Sequence, residues 1–134
     1  MRAGHHSGSA PALTAYVAGM AASWFGYLAG GRELFPDLGI CFAMLAGLAP
    51  LQDERFVQRA GHQVPRLPRH VYLETSSYGA RGVDAVIRVL GVDHLLHGSD
   101  RPYAEPADLR LGAAVDTALR QTHPARLLDT EVPA

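Results

Sequence analysis

The apolar positions of the chain fall into two patterns that take turns. Leu13, Tyr16, Val17, Met20, Trp24, Tyr27 and Leu28 recur at spacings of three and four, with Ala and Gly between them, which predicts a helix over 11–29. Ser9 and Pro11 mark its start, and Gly30 and Gly31 its end. Pro36 in "LFPDL" disfavours helix at Phe35, and the continuous apolar run "GICFAML" then predicts a buried strand over 39–45. "LQDERFVQRAG" places its acids early and Arg59 late, as a helix dipole favours, so a short helix is expected over 51–61. After the polar loop "HQVPRLPR", "HVYLETSSY" reads as a strand over 70–75 ending in hydroxyls. Val83, Val86, Ile87 and Leu90 form one stripe of a helix over 80–91, which Gly91 ends. "VDHLLHGSD" predicts a strand over 93–97, and Leu111, Val115, Ala118 and Leu119 a helix over 105–121, followed by a short turn at "PARLL".

Strands that are continuous apolar runs, alternating with helices, indicate an α/β fold with a parallel sheet under a helical cover. In such folds ligands meet the carboxyl ends of the strands. "MLAGLAP", "ETSSYG" and "HGSDRP" are therefore expected on one rim. No repeat or low-complexity tract divides the chain, so residues 1–134 are read as a single domain behind a polar segment, 1–9.

The length of 134 residues suits one core. Twelve Lys and Arg against thirteen Asp and Glu give a formal charge of −1, which argues against a nucleic-acid partner. The single Cys41 lies in an apolar run, excludes a disulfide within the chain and reads as a buried thiol, consistent with a reducing, cytoplasmic setting. Residues 10–31 carry no charge and are long enough to cross a bilayer, yet they are mostly Ala, Gly, Ser and Thr. A packed, Ala-rich helix is the better reading than a membrane span.

Asp100 follows a strand and Gly98, a placement that suits a metal ligand or general base; it equally suits a turn in which Ser99 and Asp100 bond their own backbone and Arg101 forms an ion pair. His5 and His6 precede a Ser/Gly loop and offer imidazoles to a divalent metal, or simply form a solvated tail. His97 flanks the same strand end as Asp100, whereas His62, His94 and His123 show no metal-ligand spacing. Glu74, Thr75, Ser76 and Ser77 could bond a substrate, but capping of the next helix is the simpler role. No GxSxG, P-loop or GxGxxG preceding a helix is found, which removes the usual support for acyl-serine, nucleotide and dinucleotide chemistry.

In order and spacing, "LFPDLGICFAMLAGLAPLQDER", "VYLETSSYG", "VIRVLGVDHLLHGSDRPY" and "ALRQTHPARLL" resemble the C-terminal half of the amidohydrolase-related family of metal-dependent (β/α)8 barrels, including its aminocarboxymuconate-semialdehyde-decarboxylase-like members. The resemblance implies that "LLHGSDRPY" is the last barrel strand, with Asp100 as metal ligand and proton shuttle. It implies that "GHHSG" ends the fifth strand, with His6, or His5, ligating the metal, zinc being the expected ion. Arg101 and His97 would then bind a small carbonyl or carboxylate substrate. Two departures stand out: Met44 in "MLAG" replaces a His usual in the family, a poor exchange for a hard ion, and the family's HxH motif is absent. A complete barrel of this kind needs about 250 residues. The resemblance thus implies half a barrel, completed by a second copy or by a missing N-terminal half, or a non-catalytic remnant or assembly module.

Overall fold

The computed structural model of the chain describes residues 9–61 and 66–129. Helix α1 (Ser9–Gly26) continues through a π-helical turn (Tyr27–Gly31) into the short α2 (Arg32–Leu34). Gly31 keeps helical angles, φ −59° and ψ −34°, and the helix instead ends at Phe35, before Pro36. Its second half is buried through Trp24, Tyr27 and Leu28, but Leu13 and Tyr16 are 64% and 67% exposed, so the expected burial holds for one end only. No helix among the described residues is long and apolar enough to cross a membrane.

Strands β1 (Ile40–Phe42), β2 (Val71–Glu74) and β3 (Leu95–Leu96) form a parallel sheet in the order β1-β2-β3. The register sets Ile40 against Val71, Cys41 against Tyr72, Phe42 against Leu73, and Leu73 against Leu95. Because side chains alternate between faces, Ile40, Phe42, Val71, Leu73 and Leu95 share one face. There they meet Trp24 of α1 and Val83 and Val86 of α4 (Ala80–Leu90) in a common core. Each such buried side chain contributes about 1.5–3 kcal/mol, which is what holds the helical layer on the sheet. A buried hydrogen bond adds direction: Trp24 Nε1–H donates to Asp53 Oδ1 at 3.0 Å, joining α1 to the start of α3 (Asp53–Ala60). Cys41 is exposed, not buried, because alternation turns it away from this core.

The strand expected over 39–45 is cut short by a left-handed turn. From Met44 to Leu48 the φ angles are 48°, 51°, 52°, 63° and 64°. Left-handed backbone costs an L-residue about 1–2 kcal/mol, offset here by complete burial of Leu45 and near-complete burial of Ala46. Gly47 belongs in the turn for a second reason, since a Cβ there would lie 3.1 Å from the Val17 carbonyl oxygen of α1. A continuous apolar run has no period, so the pattern alone could not separate strand from turn.

The helix expected over 105–121 also shifts. Residues 105–112 are irregular, and Arg110 and Gly112 have positive φ, 49° and 90°. The helix runs instead through α5 (Ala113–Thr117), a π-helical turn (Ala118–Thr122) and α6 (His123–Leu127), absorbing "PARLL". Pro124 cannot donate to the helical ladder, and the widened turn lies directly before α6. This C-terminal segment covers the outer side of β3: His97 N–H donates to Leu119 O at 3.1 Å, and His123 Nδ1–H to Leu95 O at 2.7 Å. Tyr72 lies on the sheet face opposite Val71 and Leu73 and is 2% exposed, its ring 6.0 Å from that of His123. A Cβ on Gly39 would meet Leu127 Cδ1 at 3.2 Å, so the segment reaches from the edge of β3 to the approach to β1.

Candidate functional site

The three strands deliver Met44, Thr75 to Ser77, and His97 to Asp100 to one rim, as the parallel arrangement requires. Glu74 organises it. Its Oε1 accepts the Met44 N–H at 2.5 Å and its Oε2 the Ser76 N–H at 2.7 Å. Thr75 N–H donates to Leu96 O at 3.1 Å, while Thr75 Oγ1 accepts the Gly98 N–H at 3.2 Å. Gly98 is sterically required: a Cβ there would fall 1.5 Å from Glu74 Oε2 and 2.4 Å from Ser76 Oγ. The expectation that the 74–77 cluster caps the next helix does not hold, because the N-cap of α4 is Gly79 and no side chain bonds to it.

Asp100 adopts a left-handed conformation, φ 53°, which Asp tolerates better than most residues. Its Oδ2 accepts the Ser77 hydroxyl at 2.6 Å, leaving Oδ1 without a hydrogen-bond partner among the described residues. The turn-forming role is also present, since Asp100 O accepts the N–H groups of Tyr103 at 2.8 Å and Ala104 at 3.0 Å, and Ser99 Oγ that of Arg101 at 3.3 Å. The Arg101–Pro102 bond is cis. Arg101 turns its guanidinium to Glu105, 2.9 Å away, and both side chains are mostly exposed. His97 is half-buried, and burial, then Arg120, lowers its pKa, against the opposing pull of Asp116 and Glu74. It therefore stands at the rim as a neutral imidazole at pH 7. No hydrogen bond joins the side chains of His97, Asp100 and Arg101 among the described residues.

His5, His6 and His62 lie outside the described residues. His94 and His123 have structural tasks, each binding a strand carbonyl through Nδ1: Val71 O at 2.9 Å and Leu95 O at 2.7 Å. Among the described residues no three His, Cys, Asp or Glu are arranged to hold a metal. Met44 contributes its backbone N–H to the rim, and both oxygens of Glu74 are bound to backbone donors. A catalytic divalent site draws on about three protein ligands. Asp100 by itself does not supply them, so the described donor set does not fit such an ion.

Glu74 was passed over by sequence reasoning as an organiser. An acid ending a strand beside three hydroxyl residues was a signal, but its partner Met44 is thirty positions away and contributes only backbone.

No family model matches the chain, and no curated protein matches it. Among solved structures it is similar to a Staphylococcus aureus protein described as an amidohydrolase, with 23% identity and TM-score 0.63 over 76% of this chain and 38% of that one. It is similar to the 5-carboxyvanillate decarboxylase of Sphingomonas paucimobilis, with 18% identity and TM-score 0.60 over 78% and 37%. The IDCase of Metarhizium anisopliae in its apo form matches with 23% identity and TM-score 0.61 over 82% and 39%. The chain thus spans about two fifths of the length of these structures and shares their fold in part: an α/β arrangement of three parallel strands alternating with helices, as in a portion of a TIM barrel.

Proposed function

We propose that the strand-end rim is part of the active site of an amidohydrolase-like, metal-dependent hydrolase or decarboxylase acting on a small carbonyl or carboxylate substrate. The remaining strands of the barrel come from a second copy of the chain or from a missing N-terminal half. The observation that carries the reading is Asp100, an acid at the end of β3 held by Ser77 through one oxygen, the other having no hydrogen-bond partner among the described residues. In this reading Asp100 exchanges a proton with the substrate, and His97 and Arg101 hold its carboxylate. Arg101 must leave Glu105 to do so, and an ion pair that exposed is worth only about 0–1 kcal/mol. His6 or His5 would join Asp100 in a divalent metal site whose further ligands belong to the rest of the barrel, zinc being the expected ion, in a cytoplasmic protein. Metal analysis of purified protein tests this: bound metal is expected in the wild type and lost in Asp100→Asn, and metal-free protein in both overturns the catalytic reading.

A non-catalytic half-barrel is the second reading, favoured by the C-terminal helix lying on the side of β3 where a closing strand would pair. Turnover with added zinc or manganese that disappears in Asp100→Asn would eliminate it.

A further inference from the structure

At the end of the sheet opposite the rim, the segments leading into β2 and β3 line, with α6, a pocket of about 520 Å³ that opens to solvent, with Arg66, Arg69, Asp93 and Arg126 exposed at its mouth. Its polar lining includes Arg66, Arg69, Tyr72, Asp93, His94 and Arg126. The volume falls in the range of small-molecule sites, about 300–1,000 Å³. Three guanidinium groups against one carboxylate make the lining cationic in a chain whose formal charge is −1, so the positive charge is local. None of the three is neutralised within the molecule: Arg88, Arg101, Arg110 and Arg120 each sit on a carboxylate, at 2.8, 2.9, 3.4 and 2.7 Å, whereas Arg66, Arg69 and Arg126, like Arg32, Arg55, Arg59 and Arg81, form no ion pair among the described residues.

The two other polar groups differ in what they offer. His94 donates its Nδ1–H to Val71 O at 2.9 Å, so the second nitrogen of the neutral ring meets a ligand as an acceptor, suited to a protonated oxygen of the ligand. Burial raises the pKa of Tyr72, with Arg126 lowering it and Asp93 raising it, so the phenol keeps its proton at neutral pH and can donate it in a hydrogen bond. Planar guanidinium forks match the paired oxygens of phosphate and carboxylate groups.

We propose that this pocket binds a small organic oxyanion, either a phosphate ester or a dicarboxylate, with the charge held by Arg66, Arg69 and Arg126 and the orientation set by the Tyr72 hydroxyl, beside the ring of His94. The site lies apart from the strand-end rim and is independent of any metal there. Calorimetric titration at constant ionic strength with inorganic phosphate, and separately with succinate, tests it. Saturable binding of at least one anion is expected, and the tighter of the two identifies the source of the oxyanion. Arg69→Gln/Arg126→Gln should weaken it about tenfold or more, while Arg110→Gln, which alters an arginine elsewhere on the surface, should leave it unchanged. Absence of saturable binding of both anions, or equal affinity in the double variant, overturns the proposal. Should the double variant lose its fold by circular dichroism, the His94 ring resonances of the wild-type protein decide the matter: they shift saturably with the anion, or the site is not there.

Discussion

The rim depends on a side chain that is missing. Gly98 gives Glu74 the space in which its carboxylate ties Met44 to Ser76, and any Cβ at position 98 takes that space. Gly98→Ala is expected to destabilise the protein by about 1–3 kcal/mol in urea denaturation. Because the clash is with one carboxylate, adding Glu74→Ala should cost less in this background than in the wild type; strictly additive effects would contradict the geometry. His97 supplies a second prediction. Its pKa is lowered from the ordinary 6.5 on folding, so as pH falls the unfolded chain takes up the proton first. Its contribution to stability is complete above that ordinary value and is lost as pH drops from there toward the folded value. The urea midpoint should therefore fall as the pH is lowered from neutral through the ordinary histidine range, and less steeply in His97→Asn. Asp100 was legible in the sequence because Gly, Ser, Asp, Arg and Pro follow an apolar run, all within one local stretch. Glu74 was not, since its meaning comes from backbone groups on other strands.

Among the elements, legibility followed periodicity. Helix α4 matches its expected span closely because Val83, Val86, Ile87 and Leu90 define a single face. The run after Phe42 failed as a strand because its residues are apolar on every side, and burial beneath α1 suits a left-handed turn as well as an extended one. The C-terminal helix was misplaced at its start because Leu109 and Leu111 pack against the core from irregular backbone, giving the apolar signal without the helix. The part of that helix that matters most is His123, which reads in sequence as one more scattered histidine. His123→Leu preserves bulk but leaves Leu95 O without its partner, a loss of about 1–3 kcal/mol for a buried carbonyl. Guanidinium denaturation should show that loss, with faster amide exchange at His97, whose N–H binds the same helix.

For the whole molecule, the parallel α/β class was readable from the alternation of segments, and the solved structures of similar fold agree with it. What the alternation could not convey is that the sheet finishes differently at its two sides. At β3 the outer carbonyl of Leu95 and the N–H of His97 are occupied by the C-terminal helix; β1 is the other outer strand, and Cys41 on it is exposed. In the language of polymer chemistry, a unit with two reactive ends propagates and a unit with one terminates. Among the described residues this sheet has one, the outer edge of β1: strand addition there by two copies consumes both ends about a twofold axis and leaves no described edge on which a third copy can add. Association through the sheet should therefore saturate at the dimer in sedimentation velocity however concentrated the protein. A ladder of larger species would mean that the helix on β3 comes off. The C-terminal helix is, in this sense, a chain stopper encoded in the same chain that it stops.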